Sequence, residues 1–381
     1  MSLVEPGTSD GDGTRCVHGG FPGPALGAPV HPGPVLSSTF HLGVPADPPP
    51  ADFYGRADNP TWRALEDAIG ALDGGECVVF ASGMAAVGAV LRLAAPDGAL
   101  VLPSDGYYLA RSLAHAELAP LGVEVREVPT TALLTADVLA GAALVLLETP
   151  SNPGLEVADV AAAAAAAHAA GALLAVDNTT ATPLGQRPLA LGADLAVASD
   201  TKALAGHGDV VLGHVSAAGP ALAARLREAR SRGGAVPGPM ETWLAHRGLG
   251  TLDLRLTRQA ENASALVEAL LAHPAATDVR WPGHPADPAH PVAAKQMRRW
   301  NGVLRFTLAS EAAVGAFLAA SRLVDSATSF GGLRTSADRR ARWGDAVAPG
   351  LVRLSAGCED TADLVADVVA ALDAALAFTD R

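Results

Sequence analysis

Residues 195–202, LAVASDTK, form a short apolar run that ends abruptly in polar side chains. Six comparable runs lie between residues 76 and 216, and Ala/Leu-rich amphipathic segments separate them. They are ECVVFAS (76–82), ALVLPSD (99–105), VEVREVP (123–129), ALVLLETP (143–150), ALLAVDN (172–178) and VVLGHVS (210–216). Apolar strands that alternate with helices are typical of a mainly parallel sheet covered by helices. We therefore expect an α/β domain over residues 55–250.

The flanking segments differ from this central region in composition. Residues 1–54 are rich in Pro and Gly and show no helical or strand period, so we expect an extended arm that contacts a neighbouring subunit. Residues 251–381 are expected to form a smaller C-terminal α+β domain. Its predicted elements are a helix over Leu252–Leu271, antiparallel strands in GVLRFTLA (302–309) and LVRLSAG (351–357), and a helix over Asp360–Phe378.

Charge and hydropathy disfavour several classes of partner. The chain of 381 residues carries 40 acidic and 27 basic side chains, a net charge of −13, and no run of five basic residues, which argues against nucleic-acid binding. The best candidate for a membrane crossing, Val160–Val176, is shorter than the ~20 apolar residues that span a bilayer. The first fifteen residues lack the pattern of a secretion signal. We expect a cytoplasmic protein with no membrane or nucleic-acid partner.

Cysteine usage agrees with a reducing compartment. Cys16, Cys77 and Cys358 are odd in number and far apart, and none belongs to a CxxC pair. This spacing argues against a disulfide framework and a structural zinc site. No metal site is expected.

Polar side chains follow the predicted strands at the point where each ends. In an open parallel sheet the carboxyl ends of the strands meet at one edge, where ligands bind. The groups expected there are Ser82-Gly83-Met84, Tyr107, Ser151-Asn152-Pro153, Asp177-Asn178 and Ser199 to Lys202. If the strands are assigned correctly, these side chains converge on one crevice.

Lysine is nearly absent from the chain: among 27 basic residues only Lys202 and Lys295 are lysines. Lys202 lies among small residues, where partial loss of hydration would lower its pKa and suit it to imine formation. The simpler alternative for Lys202 is a solvent-exposed lysine in a loop. Lys295 has basic neighbours, which indicate a solvated helix face.

A carboxylate and an anion site accompany Lys202 at the predicted sheet edge. Asp177 follows an apolar strand, so its carboxylate must be paired, and a protonated pyridine nitrogen would suit it; an N-cap is the simpler alternative. Ser82 and Gly83 open a helix whose first N–H groups suit a phosphate, although an ordinary strand-to-helix turn has the same pattern. An imine lysine, a carboxylate, a phosphate cup and a stacking aromatic together indicate pyridoxal phosphate.

Seven motifs carry a resemblance that runs from Thr14 to about Leu376. They are YGRADNPT (54–61), ASGMAA (81–86), ETPSNP (148–153), AVDNT (175–179), LGADLAVASDTK (191–202), GHGDVVLG (206–213) and LVRLSAGCED (351–360). With these motifs the sequence resembles the Cys/Met-metabolism family of pyridoxal-phosphate enzymes. The resemblance implies the fold-type I architecture of those enzymes and pyridoxal 5'-phosphate as the cofactor.

The resemblance also implies roles for individual residues. Lys202 would hold the cofactor as an imine, Asp177 would hold the ring nitrogen, and Tyr107 would stack on the ring; we expect Tyr107 also to act as the acid for the leaving sulfur. The other implied cofactor contacts are Asn152 at the phenolic oxygen, Ser82, Gly83, Met84, Ser199 and Thr201 at the phosphate, and Tyr54 and Arg56 at the phosphate of a neighbouring subunit. Ser329 and Arg353 would bind the amino-acid substrate, with the planar guanidinium fork on its α-carboxylate.

The implied activity is an α,γ-elimination on a sulfur amino acid, nearest to that of cystathionine γ-lyase. Methionine γ-lyase and cystathionine γ-synthase would use the same cofactor residues and stay open. A nicotinamide dehydrogenase and a hydrolase are disfavoured because their glycine fingerprint and GxSxG motif are missing. A non-catalytic protein on the same fold is the remaining alternative.

Two further expectations follow from the resemblance. Active sites shared between subunits imply a homo-oligomer, with a tetramer built from dimers as the usual form. Many relatives carry Glu after the SxGG turn, whereas this chain has Arg334, and residues 335–344 also depart from the family pattern. The distal part of the substrate pocket is therefore expected to differ.

Overall fold

The computed structural model describes residues 10–48, 50–94, 98–132 and 134–378. The strands are β1 (Glu76–Phe80), β2 (Ala99–Pro103), β3 (Val125–Val128), β4 (Ala142–Glu148), β5 (Leu173–Asp177), β6 (Leu195–Ala198), β7 (Gly213–Ala217), β8 (Thr277–Arg280), β9 (Val303–Thr307), β10 (Asp325–Ser326), β11 (Ser336–Arg339) and β12 (Leu351–Ser355). The helices are α1 (Asp12–His18), α2 (Pro60–Asp73), α3 (Gly83–Ala94), α4 (Tyr108–Leu113), α5 (Ala136–Leu139), α6 (Val160–Ala169), α7 (Thr182–Gly185), α8 (Pro220–Gly233), α9 (Pro239–Leu249), α10 (Leu252–Ala272), α11 (His290–Gln296), α12 (Glu311–Ala320) and α13 (Thr361–Leu376).

A mainly parallel sheet forms the centre of the molecule, in the order β1-β7-β6-β5-β4-β2-β3. Its neighbours pair in parallel from β3 to β6, and only β7 runs in the opposite direction. The strands are apolar on both faces because α3 and α8 cover one face and α6 covers the other. The predicted α/β architecture is confirmed.

A second, smaller sheet follows in the chain, in the order β10-β11-β12-β9-β8. Its pairs are antiparallel apart from β10 with β11. Apolar side chains of α10, α12 and α13 pack against it, among them Leu266, Phe317 and Val368. None of the helices in the described residues has both the length and the apolar character that crossing a bilayer requires.

The N-terminal segment contains a helix that the sequence did not predict. Helix α1 spans seven residues, too few for a periodic pattern to stand out. It is held by tertiary contacts instead: Cys16 is buried, and the Asp12 carboxylate accepts hydrogen bonds from Arg187 (2.8 Å) and Arg298 (2.7 Å). The expectation of no helical structure in residues 1–54 was therefore wrong for this stretch.

A buried histidine ties β7 to the end of α2 and to the loop that carries Lys202. His214 Nδ1 lies 2.6 Å from the Asp200 carboxylate, and its Nε2 lies 3.1 Å from the carboxylate of Asp73. Burial alone would lower the pKa of His214, but the two carboxylates stabilise its charged form and raise the pKa to about 10. Because the pKa is raised, this stabilisation is complete below the ordinary histidine value and is lost as the pH rises through about 10.

We expect His214→Ala to lower the free energy of unfolding by about 3–5 kcal/mol, because it leaves two buried carboxylates without their cation. The measurement is urea unfolding at neutral pH. His168→Gln is the matched control: it breaks the half-exposed pair with Asp194 (2.9 Å) and should cost only ~0–1 kcal/mol. Equal losses in the two variants would contradict the assignment of a buried ion pair.

Candidate active site

The carboxyl ends of the strands open into one cavity of about 320 Å³. Most of the residues predicted from the strand ends line it, and the small sheet, with the loop between β10 and β11, supplies the others. The predicted residues in its wall are Ser82, Gly83, Met84, Tyr107, Asn152, Asp177, Ser199, Thr201, Lys202, Ser329 and Arg353. Lys202 and Asp177, the two groups on which the prediction depends, therefore face the same space.

Lys202 lies in the loop after β6, partly removed from water. Burial, followed by repulsion from Arg353, lowers the pKa of its amine to about 8, against a smaller opposing effect of Asp177. Its Nζ lies 5.6 Å from the centre of the Phe330 ring. Lys295, by contrast, is exposed on α11. Of the two lysines, only Lys202 has the environment of a reactive amine.

Two carboxylates stand side by side at the ends of β4 and β5. Asp177 accepts the backbone N–H of Thr179 (3.0 Å), yet burial raises its pKa. Burial and the neighbouring Asp177 also raise the pKa of Glu148. Glu148 accepts hydrogen bonds from the backbone N–H groups of Tyr107 (2.5 Å) and Asn152 (2.7 Å). This one carboxylate therefore fixes both the loop after β2 and the loop after β4.

Arg353 projects from β12 and is 3% exposed. It donates to Asn152 Oδ1 (2.6 Å) and to the carbonyl of Ser329 (2.9 Å), a residue with a left-handed backbone (φ 77°). Because a guanidinium only donates, this bond turns the oxygen of the Asn152 amide toward Arg353 and leaves its NH₂ group to donate elsewhere. Burial lowers the pKa of Arg353 to about 10, so it stays charged at neutral pH.

The start of α3 and the loop that follows β6 form a small polar cup. This loop, residues 199–202, carries Lys202, and we call it the lysine loop. Ser82 Oγ accepts a backbone N–H from the first turn of α3 (3.1 Å), which leaves its own proton for a ligand. A Cβ on Gly83 would lie 2.6 Å from the Cβ of Ser199, so only glycine allows this approach. The Thr201 hydroxyl lies 3.2 Å from the carbonyl oxygen of Leu212, and therefore also anchors the loop.

Tyr54 and Arg56 do not join the other predicted residues in this chain. Tyr54 is 44% exposed, and the guanidinium of Arg56 lies 5.6 Å from its ring centre. Arg56 also donates to the backbone carbonyl of Ser231 (3.1 Å). Their predicted contact with a neighbouring subunit stays a prediction.

The donor set fits the predicted cofactor. A half-buried amine suits an aldehyde, a buried carboxylate suits a ring nitrogen, and the glycine-lined cup at α3 suits a phosphate. The cavity volume lies within the range of small-ligand sites. The described residues contain no cluster of His, Cys, Asp or Glu able to hold a metal ion.

Comparisons with known proteins agree with this site. The model of the family described as "Cys/Met metabolism PLP-dependent enzyme" matches residues 14–373. The chain belongs to this family. Like its other members, this Cys/Met-metabolism enzyme uses pyridoxal phosphate as its cofactor.

Individual relatives match over nearly their whole length. A "Putative cystathionine gamma-lyase" of Streptomyces coelicolor is 54% identical over 374 residues, which cover 96% of this chain and 94% of that protein. A structure described as apo CalE6, a methionine gamma lyase from Micromonospora echinospora, has 38% identity and a TM-score of 0.90, covering 96% of this chain and all of that one. Cystathionine gamma synthase from Xanthomonas oryzae, in complex with cystathionine, has 36% identity and a TM-score of 0.91, covering 97% of this chain and all of that one. The fold-type I expectation is confirmed.

Eight cavity residues of this family member were not predicted from the sequence, among them Glu148, Thr179, Phe330 and Arg340. The sequence could have predicted Glu148, because this residue ends an apolar strand as Asp177 does. Phe330 lies in the SxGG turn beside the predicted Ser329. Arg340 belongs to the stretch that departs from the family pattern, where no motif indicated a position in the site.

The lowered pKa of Lys202 gives a pH dependence that can be measured in the cofactor-free protein. Only the neutral amine reacts with acetic anhydride, so acetylation of Lys202 should rise with a midpoint near pH 8, below the ~10.4 of an ordinary lysine. Mass spectrometry of the peptide that contains Lys202 gives the profile. Asp177→Asn removes the charge that opposes this shift, so its midpoint should lie at lower pH. A midpoint above pH 10 in the wild type would contradict the assignment.

Proposed function

We propose that the enzyme cleaves cystathionine by α,γ-elimination, which with one water gives cysteine, 2-oxobutanoate and ammonia. The observation that carries the proposal is the single cavity shared by Lys202, Asp177 and Arg353. The choice of cystathionine is supported by the relative from Streptomyces coelicolor that is named as a putative cystathionine gamma-lyase and is 54% identical to this chain over 374 residues.

In this proposal the residues of the chain act in a fixed order. Arg353 binds the α-carboxylate of the substrate through its planar fork. The cofactor supplies a ring that stabilises negative charge at Cα, and Asp177 keeps the ring nitrogen protonated. Lys202, as the general base, removes the Cα proton, and a second deprotonation, at Cβ, then allows the thiol to leave from Cγ. Tyr107 remains protonated because burial raises its pKa, and it donates a proton to the leaving sulfur.

The remaining predicted residues would hold the cofactor in place. The NH₂ group of Asn152, oriented by Arg353, is available to its phenolic oxygen. We assign the phosphate to Ser82, Gly83, Met84, Ser199 and Thr201, all of which line the cavity. Ser329 would contact the substrate, since it lies beside the Arg353 guanidinium.

Other reactions within the family use the same groups. Methionine γ-lyase activity is the second candidate, favoured by the 38% identity to the structure named as a methionine gamma lyase. Cystathionine γ-synthase activity is the third, favoured by the structural likeness to the Xanthomonas oryzae synthase. A non-catalytic protein is disfavoured because such a protein has no need of a desolvated lysine.

We further propose that the N-terminal arm, residues 1–54, contacts a second subunit and that residues 55–250 and 251–381 fold as separate domains. The arm presents exposed apolar side chains, among them Leu26, Val30 and Leu36, which are 108%, 98% and 67% exposed in the single chain. Tyr54 and Arg56 would then reach the partner's cavity, as in a tetramer built from dimers. A cytoplasmic location is supported by the free state of the three cysteines.

Product analysis tests the proposed reaction. Purified enzyme receives cystathionine, methionine, or O-activated homoserine with cysteine, in parallel. We expect 2-oxobutanoate and cysteine from cystathionine at the highest rate. Lys202→Ala should lose the yellow colour of the bound cofactor and nearly all turnover, whereas Lys295→Ala, its matched control, should keep both. Faster release of methanethiol from methionine, or net formation of cystathionine, would exclude the γ-lyase assignment.

Mixing two inactive variants tests the shared site. Arg56→Ala and Lys202→Ala are each expected to be nearly inactive as pure proteins. After subunit exchange, about half of the dimers are mixed and each has one intact site, so about a quarter of wild-type activity should return. No recovery after proven exchange, seen by mass spectrometry of the intact dimer, would place Arg56 outside the neighbour's site.

A further inference from the structure

The stretch that departs from the family pattern, residues 334–344, contains four arginines. Two of them, Arg334 and Arg340, lie in very different positions. The side chain of Arg334 is 76% exposed and pairs with Asp325 (3.1 Å), and it is not part of the cavity wall. Arg340 is 4% exposed and lines the cavity together with Arg353 and Lys202. The residue that changes the pocket is therefore Arg340, and Arg334 lies outside it.

Arg340 is held rigidly at the turn after β11. Its Nε donates to Asp345 (2.8 Å), its Nη2 forms an ion pair with the same carboxylate (2.7 Å), and its Nη1 donates to Asp338 (3.1 Å). Trp343 Nε1 donates to the same Asp338 carboxylate (2.7 Å) and fixes it in turn. A guanidinium has five N–H bonds, and these contacts use one at each nitrogen. One N–H at Nη1 and one at Nη2 are left for a ligand.

The charges around this cavity favour an anion near Arg340. Arg340 and Arg353 are both buried guanidinium groups in one wall, and the charge of Arg340 disfavours the positive charge of Arg353. Arg340 likewise lowers the pKa of Lys202. Asp338 and Asp345 hold Arg340 in place, but they lie outside the cavity wall. A carboxylate that enters the cavity would relieve this repulsion and occupy the free N–H groups.

We propose that Arg340 binds the distal carboxylate of the substrate, so that the enzyme selects sulfur amino acids with a carboxylate at both ends. This inference rests on the proposed function, in which Arg353 takes the α-carboxylate. Cystathionine has a second carboxylate for Arg340. Methionine ends in a methyl group and would leave the buried N–H groups of Arg340 dehydrated and unpaired, which disfavours it.

Kinetics with cystathionine and methionine distinguish binding of the distal carboxylate by Arg340 from a purely structural role of this residue. Arg340→Gln should raise KM for cystathionine by about 10- to 100-fold relative to KM for methionine, the effect of losing a charge-assisted hydrogen bond to the distal carboxylate. The lost charge near Lys202 acts on both substrates alike and therefore leaves this ratio unaffected. Arg334→Gln makes the same exchange outside the cavity and should alter neither KM. Arg340→Lys keeps the charge that balances Asp338 and Asp345, so it should fold normally and lose part of the cystathionine affinity. Equal losses for both substrates, or no loss in Arg340→Gln, would overturn the proposal.

A binding measurement makes the test independent of turnover. Octanedioate, whose carboxylates are separated by as many chain atoms as those of cystathionine, should raise the melting temperature of the holoenzyme more than octanoate of the same length, and Arg340→Gln should abolish the difference. If the wild type does not cleave cystathionine but this difference depends on Arg340, the proposed function fails and the selection of dicarboxylates stands. If the difference survives in Arg340→Gln, the role of Arg340 is refuted whatever the reaction.

Discussion

A lysine ammonium kept partly out of water is the constraint on which this site depends. Dehydration disfavours the charged amine, and the positive charges of Arg353 and Arg340 add to the effect, while Asp177 opposes it. The balance leaves an amine that loses its proton near pH 8 in a cavity that also holds a buried carboxylate. Such a group reacts with an aldehyde at neutral pH, which an ordinary surface lysine does poorly.

Two buried carboxylates, Asp200 and Glu148, fix the loops that carry the cavity residues. Asp200 lies two residues before Lys202 and is fixed by His214, so the lysine loop is anchored to β7 by a buried ion pair. On the other side of the cavity, Glu148 accepts the backbone N–H groups of Tyr107 and Asn152. Asp200 and Glu148 thus hold in place the loops that carry Lys202, Tyr107 and Asn152, and so preserve the geometry of the site.

The sequence predicted the central sheet and most of its ligand edge, because apolar strands and the polar residues that follow them are local patterns. Asp177 and Lys202 needed only the rule that parallel strands end on one side. Helix α1 was missed because it is short and depends on Arg187 and Arg298, far away in the chain. Arg340 was missed for a similar reason: its burial depends on Asp338, Asp345 and the packing of two strands, and no local spacing encodes that. The position of Tyr54 and Arg56 requires a second subunit, which one chain does not contain.

The scarcity of lysine has a consequence for the surface as well as for the site. Reactive aldehydes, including sugars and the free cofactor, condense with any neutral amine they meet, and a lysine-rich exterior would collect such adducts. Here only Lys295 offers an exposed lysine side chain, while 25 of the 27 basic residues are arginines, whose guanidinium groups stay protonated and do not condense as amines do. The chain, whose net charge is −13, thus keeps its cationic side chains almost entirely as arginines and presents a single exposed lysine amine to such aldehydes, while its own imine chemistry is placed at Lys202.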